Sequence, residues 1–336
     1  MSNISEINKD IIPKVFIILL NYNGWKDTIE CLQSLLNINY QNYQIVIVDN
    51  KSINNSVDTI KNWIENQESK KIYCLEYSKK TAENGDLEES EKYFKKFKSN
   101  EKIVLINSDE NLGFSGGNNI GIKYALNLDA DYIMLLNNDT VVEADFLMPL
   151  VDSLNKNKEV GIVGGKIFDY YNPQNYIAGG YIDYIKGSGY HYYNKQTIRP
   201  EKVTFLSGCL WLIRKDVFKK VGYLDEKFFM YLEDVEFCCR VLGGGYLLQY
   251  NPDSIIYHKE GRSTNNNKPL VTYYNTRNRL YFVKKCYQSR LKKMLFYIFF
   301  ITSRILKMLI NKETKKYIKH AFADYKNSKF GCYKHV

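Results

Sequence analysis

The chain has 336 residues, of which 45% are hydrophobic and 25% are charged. This composition excludes a disordered or low-complexity protein and suffices for one large globular domain or two modest ones. The seven cysteines are an odd set without C-x-x-C spacing, so they predict neither a disulfide framework nor a zinc site, and they favour a reducing cytoplasm.

The net charge of +10 is concentrated near the carboxyl terminus. From residue 284 to the end, 14 Lys and Arg residues stand against two acidic residues. A nucleic-acid-binding protein more often carries its basic excess on the main domain, so this distribution disfavours that class. The amino-terminal sequence MSNISEINKDIIPK has no basic segment followed by an apolar core, and we therefore expect no signal peptide.

The first half of the chain alternates predicted strands and helices. Apolar runs rich in β-branched residues at 15–20 and 43–49 flank a segment, 27–38, whose apolar residues have helical spacing. Strand, helix and strand in this order imply parallel pairing with both faces of the sheet covered. The same reasoning predicts strands at 71–77, 102–108 and 131–139, a helix at 121–129, and a solvated helix or insertion at 79–101. This alternation predicts an α/β fold with a doubly wound, mostly parallel sheet.

Polar segments follow four of the predicted strands: NYNG (21–24), VDNKS (48–52), NSDENLGFSGGNN (107–119) and NNDT (137–140). In open α/β sheets, ligands bind beyond the carboxyl ends of the strands. We therefore expect these four segments to converge on one edge of the sheet and to form a site there.

The region after residue 150 is less regular and rich in tyrosine and glycine, which predicts a mixed region of strands and loops. We divide the chain into an α/β half at 14–150, a second half of the same domain at 151–285, and a basic helical tail at 286–336.

The tail contains an amphipathic segment at 291–310. Its longest unbroken apolar run is Met294 to Ile301, whereas a bilayer span needs ~20 apolar residues. A polar stripe and an apolar stripe lie on opposite sides of the predicted helix: Lys293, Arg304, Lys307 and Asn311 against Leu295, Ile298, Ile305 and Leu309. The pattern predicts a helix lying in an anionic membrane surface, and the alternative is a core-packed helix with a solvated basic face.

Three of the polar segments contain residues suited to a ligand. Asp49 can accept the N3–H of a pyrimidine, although DNKS is also a good capping turn. The glycines of NLGFSGGNNIG allow a close backbone approach, or they belong to a plain strand–turn–helix connection. The dinucleotide pattern G-x-G-x-x-G is absent, which disfavours a nucleotide-dependent oxidoreductase. Asp139 is a carboxylate suited to Mg²⁺ or Mn²⁺, unless it is a structural turn residue.

The second half supplies acids and a histidine. Glu233, Asp234 and Glu236 lie among apolar residues, where a carboxylate can act as a general base, although acids are also common in the first turn of a helix. His258 ends an apolar run and could ligate a metal or contact phosphate; a lone histidine is more often neither.

Seven segments in this order resemble the inverting family-2 glycosyltransferases of GT-A fold: NYNG, VDNKS, NLGFSGGNNIG, LLNNDT, residues 207–240, HKEGRST and YYNTRNRLYF. The resemblance covers about residues 14–285 and is closest to the rhamnosyltransferase-like branch that builds bacterial surface polysaccharides.

The resemblance implies roles for the matching positions. Asp234 matches the catalytic base, and Glu233 would orient the acceptor or the base. Asp139, the one aspartate left in the D-x-D position, would hold a divalent metal, Mg²⁺ or Mn²⁺, with His258. Six residues would contact the nucleotide sugar: Asn21, Asn23, Asp49, Asn118, Asn137 and Arg277.

The implied reaction moves a sugar from a nucleoside-diphosphate sugar, with dTDP-rhamnose favoured and a UDP-hexose possible, to a hydroxyl of a glycan or lipid-linked glycan. The basic tail suits an enzyme at the inner face of the plasma membrane. The single aspartate of the D-x-D position leaves a non-catalytic sugar-nucleotide-binding subunit as an alternative, and a nucleic-acid-binding protein is a less favoured one.

Overall fold

The computed structural model describes residues 12–67, 71–85, 87–199, 202–259 and 268–335. Residues 1–11, which underlie most of the signal-peptide expectation, and the EGRST part of HKEGRST lie outside the described residues. The described strands are β1 (Val15–Asn21), β2 (Tyr43–Asp49), β3 (Tyr73–Ser78), β4 (Lys102–Asn107), β5 (Tyr132–Asn137), β6 (Thr140–Val142), β7 (Val160–Asp169), β8 (Tyr176–Asp183), β9 (Ser188–Tyr193), β10 (Leu210–Arg214) and β11 (Leu247–His258).

The helices of the described residues surround this sheet and continue beyond it. They are α1 (Trp25–Leu35), α2 (Ser56–Glu65), α3 (Lys79–Asn84), α4 (Glu88–Phe94), α5 (Gly113–Asn127), α6 (Leu147–Lys156), α7 (Lys215–Val221), α8 (Glu233–Gly243), α9 (Lys268–Cys286), α10 (Arg290–Ile310) and α11 (Lys312–Lys326).

All eleven strands belong to one sheet, with the order β3-β4-β2-β1-β5-β10-β7-β11-β6 and with β8 and β9 extending from β7. The strands from β3 to β5 in this order are parallel, as predicted. The antiparallel strand β10 lies between β5 and β7, and β11 is parallel to β7. The α/β class with a mixed second half is therefore confirmed, and the β5–β10 pairing carries the sheet across residue 150.

Both faces of the sheet are buried, because the strands alternate between two hydrophobic cores. On β1, Phe16 and Ile18 belong to the core that includes α5, whereas Ile17 and Leu19 belong to the core that includes α1, α2 and α6. All four side chains are completely buried. This arrangement gives the sheet helices on both faces, as the continuous apolar strands predicted.

Helix α5 begins earlier than the sequence predicted, at Gly113, so the glycine-rich segment is helical. A Cβ on Gly117 would lie 2.3 Å from Leu20 Cδ1, and a Cβ on Gly121 would lie 2.7 Å from Ile18 Cγ2. Both distances are shorter than any ordinary carbon–carbon contact. These glycines therefore allow α5 to pack closely on β1, which is a role the sequence pattern did not distinguish from a ligand-binding loop.

The charged segment at 79–101 is an insertion of two short helices, α3 and α4, and it is partly buried against the core. Phe94 is 1% exposed, and the Glu91 carboxylate accepts hydrogen bonds from the hydroxyls of Tyr77 and Tyr124. Of the two predicted alternatives, a solvated helix or an insertion, the structure shows an insertion, and its buried side chains form an apolar side that the charged sequence did not indicate.

The carboxyl-terminal region is helical, and α11 packs on α9. Helix α10 has its apolar stripe exposed, with Ile298 58% and Leu309 75% exposed. On its opposite side, Arg304 and Lys307 donate hydrogen bonds to Thr276 and Thr272 of α9. The helix packs on the core through Phe296 and Phe300, but its apolar stripe is exposed, which the alternative of a core-packed helix did not predict. Among the described residues, no helix is long and apolar enough to cross a bilayer.

Candidate active site

The carboxyl ends of three parallel strands meet at one edge of the sheet. Asn21 at the end of β1 is the register partner of Asp49 at the end of β2, and the neighbouring residue Leu20 pairs with Asn137 at the end of β5. The side chains at these strand ends are polar, whereas the strands before them are apolar. The structure thus brings together three residues that are separated by up to 116 positions in the sequence.

Asp49 lies in a buried hydrogen-bond cluster at this edge. Its Oδ1 accepts from Asn21 Nδ2 at 2.7 Å and from the Ser52 hydroxyl at 2.6 Å, and its Oδ2 accepts from the Ser52 backbone N–H at 2.9 Å. These bonds form the capping turn that the sequence allowed. Because a carboxylate oxygen accepts about two hydrogen bonds, Oδ2 retains capacity for one further donor.

Asn23 and Asn50 join the loops that follow the strands. The Asn23 side-chain oxygen accepts from the Ile53 backbone N–H at 2.9 Å. Asn50 is 2% exposed; its amide donates to the Gly113 carbonyl at 3.0 Å, and its oxygen accepts from the Leu112 N–H at 2.9 Å. Sequence reasoning missed Asn50, although it adjoins Asp49 in VDNKS, because an asparagine in a turn has no distinctive signal.

Asp139 and His258 form a second polar centre. His258 Nε2 lies 3.1 Å from Asp139 Oδ1, and Asn137 Nδ2 lies 3.4 Å from the same ring nitrogen. Pairing of β6 with β11 produces this contact, because it places His258 opposite Thr140. The side chains of His258 and Asp139 are 14% and 17% exposed, so both remain accessible from solvent.

The surroundings shift the pKa values of His258 and Asp139 so that both groups favour their charged forms and can form an ion pair. Burial opposes charge on His258, but Cys209 and the bonded Asp139 outweigh it, so the pKa of His258 lies well above its ordinary value. Burial likewise opposes charge on Asp139, but the hydrogen bond from His258 outweighs it and lowers the pKa of Asp139.

A divalent cation fits this pair on the chemistry of its donors once it displaces the proton that the ion pair places on His258. One carboxylate oxygen and one imidazole nitrogen lie side by side and both are partly exposed. Within the described residues there is no group of three or more His, Cys, Asp or Glu side chains able to hold a metal. The pair is therefore sufficient only for an ion that completes its coordination with other oxygens, as Mg²⁺ does with water and substrate phosphates.

The acids of α8 have three different environments. Glu233 is 8% exposed, and its Oε2 is buried without a hydrogen-bond partner among the described residues. Asp234 is partly exposed, and its Oδ1 accepts from the Val235 N–H at 2.8 Å. Glu236 is completely buried and paired with Arg240 and Lys285. Glu236 is therefore a structural residue, whereas Asp234 and Glu233 have carboxylate oxygens that remain available.

Burial raises the pKa values of both remaining acids. For Glu233 the negative charge of Asp234 raises the pKa further. For Asp234 the backbone N–H groups of Val235 and Gly208 oppose the effect of burial without cancelling it. A carboxylate whose ionised form is poorly solvated is a better proton acceptor than an ordinary aspartate, which suits Asp234 to general-base chemistry.

A short segment connects Asp234 with the other polar centre. Gly208 lies so close that a Cβ on it would be 3.3 Å from Asp234 Cβ. The next residue, Cys209, accepts the Asn137 backbone N–H at 3.0 Å through its carbonyl. Asp234 thus lies beside the same end of the sheet as Asn137 and His258, on the side formed by β10.

The loop before α8 has an unusual backbone. Phe229, Tyr231 and Leu232 have φ values of 58°, 67° and 71°. The Phe229 carbonyl accepts the Phe114 N–H at 2.7 Å, and a Cβ on Gly113 would lie 2.2 Å from that carbonyl oxygen. Positive φ is unfavourable for residues with side chains, so this loop depends on its neighbours, and the start of α5 is one of them.

Helix α9 also supports the loop before α8. One of its residues, Arg277, does not have the role that we expected. Arg277 is completely buried, and its guanidinium is bonded to Asn278, Tyr273 and the carbonyls of Lys227, Phe228 and Gly331. Because all five N–H donors are used, Arg277 has none for a diphosphate and is not part of the site. Its burial could not be read from the sequence, since arginine is rarely buried.

Two buried asparagines, Asn118 and Asn278, lie on the helices that border the site. Asn118 is 2% exposed, and its amide donates to the Phe114 carbonyl of its own helix at 2.9 Å, so only part of its hydrogen-bonding capacity remains. Asn278, which the sequence reasoning missed, donates to the carbonyls of Phe228, Met230 and Tyr231. Asn278 thus holds the strained loop that leads to Glu233 and Asp234.

A cavity of about 300 Å³ borders His258. Its walls come from β7, β8, β9 and β11 and include Phe168, Asp169, Tyr176 and Tyr193. Aromatic walls with a nearby carboxylate suit a ligand that has both apolar faces and hydroxyl groups. The sequence indicated this region only as a tyrosine-rich stretch.

This fold and this edge of polar side chains define the class of protein: a glycosyltransferase of GT-A fold. Residues 16–80 and 81–222 match the family model described as glycosyl transferase family 2. The chain belongs to that family, which confirms the resemblance found in its sequence.

Relatives in the family include enzymes of polysaccharide synthesis. The chain is 28% identical over 231 residues to the dTDP-rhamnosyl transferase RfbF of Shigella flexneri, covering 65% of this chain and 76% of RfbF. It is 29% identical over 153 residues to the low-salt glycan biosynthesis hexosyltransferase Agl10 of Haloferax volcanii, covering 42% and 47%. A poly-β-1,6-N-acetyl-D-glucosamine synthase of Staphylococcus aureus is 26% identical over 253 residues, covering 74% and 50%. The chain thus spans about half of the latter two relatives.

Solved structures with the same fold have little sequence identity to this chain. The mannosyltransferase PcManGT of Pyrobaculum calidifontis, determined in complex with GDP-Man and Mn²⁺, has a TM-score of 0.54 and 12% identity, covering 94% of this chain and 76% of PcManGT. Residues 1–349 of Staphylococcus aureus TarS have a TM-score of 0.51 and 14% identity, covering 84% and 69%.

Proposed function

We propose that this chain transfers a sugar from a nucleoside-diphosphate sugar to a hydroxyl of a glycan or lipid-linked glycan, with inversion, in the synthesis of a cell-surface polysaccharide. The favoured donor is dTDP-rhamnose, because the relative RfbF is named a dTDP-rhamnosyl transferase, and a UDP-hexose is the second choice. The observation that carries the proposal is the position of the Asp139–His258 pair and of Asp234 at the same end of one sheet.

The nucleotide would bind at the ends of β1 and β2. Asp49 Oδ2, which accepts the Ser52 N–H, would also accept the N3–H of a pyrimidine, while Asn21 holds the other oxygen in place. Asn23 would line the ribose pocket from its loop, with Asn118 near the nucleotide and Asn137 beside the diphosphate. The N3–H donor is common to uracil and thymine, so this contact does not select between UDP and dTDP donors.

Asp139 and His258 would hold a divalent cation, Mg²⁺ or Mn²⁺. Such an ion, when bound, supplies positive charge that offsets the charge developing on the departing diphosphate. The chain's own contribution here is orientation: Asn137 Nδ2 lies 3.4 Å from the His258 ring nitrogen, and the Asp139 carbonyl accepts the Lys259 N–H at 3.0 Å.

Asp234 would act as the general base. As the acceptor oxygen forms its bond to the anomeric carbon and the bond from that carbon to the diphosphate oxygen breaks, the hydroxyl proton passes to Asp234. Attack from the face opposite the leaving group gives inversion in one displacement. General-base assistance contributes about 10²–10⁴-fold to the rate. Glu233, adjacent and buried, would orient the base or the acceptor.

The substitution Asp234→Asn tests this assignment. It removes the base without changing the size of the side chain, so we expect donor binding to be retained and transfer to fall by about 10²–10⁴-fold. Asp216→Asn, at an exposed acid of α7, is the matched control and should leave transfer unchanged. Transfer at the wild-type rate in the Asp234 variant would remove this residue from the role of base.

A non-catalytic sugar-nucleotide-binding subunit is the second candidate, and the absence of a third protein ligand beside Asp139 and His258 among the described residues favours it. Slow hydrolysis of the donor in the presence of Mn²⁺ separates the two candidates. A glycosyltransferase should hydrolyse its donor, and Asp139→Asn should abolish this, whereas an inactive subunit should bind the donor and leave it intact.

The place of action would be the cytoplasmic face of the plasma membrane, with the chain bound peripherally through its tail. The basic excess after residue 284 and the exposed apolar stripe of α10 support this location.

A further inference from the structure

Helix α10 exposes a run of apolar side chains along one face. Only Phe296 and Phe300 of this helix are buried. Its outer face, hereafter the apolar stripe, consists of residues that are each at least 39% exposed: Leu291, Met294, Leu295, Ile298, Ile301, Ile305, Leu306, Leu309 and Ile310. Contiguous exposed apolar surface of this kind marks an interaction site with a protein, a membrane or a ligand.

A cluster of cations lies on the other side of α10, at its seam with α9. Arg304 Nη1 lies 3.2 Å from Thr276 Oγ1, and Lys307 Nζ lies 3.0 Å from Thr272 Oγ1. These two contacts align α10 with α9, and Arg279 follows Thr276 by one helical turn. Burial and the charge of Arg279 lower the pKa of Arg304 to about 10. Burial and both arginines lower the pKa of Lys307.

No acidic group in the described part of the chain neutralises this cluster. Within the described residues, no carboxylate lies within 4 Å of Arg279, Arg304 or Lys307, and Asp183 interacts with Arg279 only at longer range. The Nε atoms of Arg279 and Arg304 are buried and have no hydrogen-bond partner in the part of the chain that the structure describes. Buried polar groups in proteins are nearly always paired, and unpaired buried charge is strongly destabilising. The cluster is therefore built to receive an anion.

We infer that Arg279, Arg304 and Lys307 bind the phosphate group of an anionic lipid, while the apolar stripe of α10 inserts among the acyl chains. Arginine matches phosphate through paired N–H donors, and the Nε–H of each arginine here has no acceptor among the described residues. An interfacial helix sinks about 5–10 Å below the headgroups, and a helix is about 10 Å wide, so the cations would lie at the level of the phosphates. The inference deepens the peripheral location in the proposed function and rests on it.

Other occupants fit the surface less well. A free phosphate would satisfy the cations but would leave the apolar stripe exposed. A second copy of the chain would need acidic groups opposite the cations, and the region after residue 284 contains only Glu313 and Asp324. Asp324 is buried and bonded to Tyr273 and His335, so it is not available. An anionic bilayer supplies both acyl chains and phosphate.

Vesicle flotation of the full chain tests the inference. We expect binding to vesicles of equal parts phosphatidylcholine and phosphatidylglycerol, and little binding to phosphatidylcholine alone. Arg304→Gln should weaken binding about five-fold, from the interaction of one basic residue with an anionic surface. Lys316→Gln, at an exposed lysine of α11, is the matched control. Equal losses in both variants would indicate general charge attraction and would overturn the site.

Two further measurements on Arg304→Gln distinguish a loss of vesicle binding from a loss of folding or of catalysis. Arg304→Gln should leave the melting temperature unchanged or raise it, because it removes repulsion from Arg279; a lower melting temperature together with weaker binding would indicate a structural role. Donor hydrolysis should be unchanged in this variant, so loss of vesicle binding with normal hydrolysis separates this inference from the proposed function. Wild-type hydrolysis without any vesicle binding would overturn the inference alone.

Ile298→Ser and inorganic pyrophosphate address the other occupants. Ile298→Ser should weaken vesicle binding, because the apolar stripe must enter the bilayer. If pyrophosphate stabilises the wild-type chain but not Arg304→Gln, and vesicles do not bind, the cluster is a site for a small soluble anion. If light scattering shows a dimer that Ile298→Ser dissociates, and vesicles do not bind, the stripe is a contact between copies. Either result would overturn the lipid site.

Discussion

The three acids of α8 show how much the surroundings of a residue decide its chemistry. Glu233, Asp234 and Glu236 lie within four positions and are chemically similar. Glu236 is neutralised by Arg240 and Lys285, whereas Glu233 Oε2 has no partner and Asp234 is partly exposed. Only a carboxylate that is not already paired can exchange a proton with a substrate. The roles therefore follow from neighbours that come from α8 itself, α9 and the segment at Gly208.

Glu233 provides a pH-dependent test at the scale of one residue. Its pKa is raised in the folded state, so the folded protein holds this proton more tightly than the unfolded chain does, and stability should fall as the pH rises above the ordinary value of 4.5. Glu233→Gln removes the charge. We expect the variant to melt at a higher temperature than the wild type at pH 8, by a margin that shrinks towards pH 5, with a gain of about 1–3 kcal/mol.

Glu313→Gln, at an exposed acid of α11, serves as the control for that experiment. Its melting temperature should follow that of the wild type at every pH. Parallel curves for Glu233→Gln and the wild type between pH 5 and pH 8 would mean that the Glu233 carboxylate is ionised at no cost, contrary to its burial.

At the scale of elements, the contact between α5 and β1 depends on glycine. A Cβ at position 117 would lie 2.3 Å from Leu20 Cδ1, so Gly117→Ala must move the helix or the strand. We expect a loss of about 1–3 kcal/mol in the free energy of unfolding, measured with urea. Gly243→Ala is the matched control, because nothing lies within 4 Å of a Cβ there. Equal stability of the two variants would show that α5 has room for a methyl group.

The loop before α8 gives a second test at this scale. Asn278 donates hydrogen bonds to three carbonyls of this loop, whereas Asn275 of the same helix donates to the Val271 carbonyl of its own helix. Asn278→Ala should displace Glu233 and Asp234, and we expect kcat to fall about 10-fold or more while KM for the donor changes little. Asn275→Ala should leave kcat unchanged. A rise in KM without loss of kcat would indicate that the loop serves donor binding.

For the whole molecule, donor binding should stabilise the fold, because the site unites residues from β1, β2, β5 and β11 that are together only in the native state. At a free donor concentration of 100 times Kd, the gain is ~2.7 kcal/mol. We expect dTDP-rhamnose with Mn²⁺ to raise the melting temperature more than the nucleotide sugar alone. Asp139→Asn and His258→Ala should remove the increment due to the metal, and Asp216→Asn should retain it.

A panel of nucleotide sugars in the same assay identifies the donor. A larger shift with a UDP-hexose than with dTDP-rhamnose would reassign the donor without changing the proposed reaction. No shift with any nucleotide sugar, with or without Mn²⁺, would contradict the nucleotide-sugar site.

Much of the fold was predictable because it depends on local patterns. Continuous apolar runs in β1, β2 and β5 indicated buried parallel strands, and the polar residues after them marked the edge where Asn21, Asp49 and Asn137 meet. The order of the motifs was sufficient to indicate the family. Both the apolar run of a strand and the polar residues at its end are patterns of a few neighbouring residues, so they can be recognised without knowledge of the rest of the chain.

The tertiary structure alone decided the rest, because it depends on partners that are distant in the chain. The spacing on α10 identified an apolar stripe and a basic stripe, but only the tertiary structure shows that Arg304 and Lys307 of the basic stripe contact Thr276 and Thr272 of α9. Arg277 matched a binding motif, yet carbonyls up to 54 positions away occupy its donors. Amphipathic spacing determines which residues share a face, whereas the neighbour that meets that face is set by the whole fold.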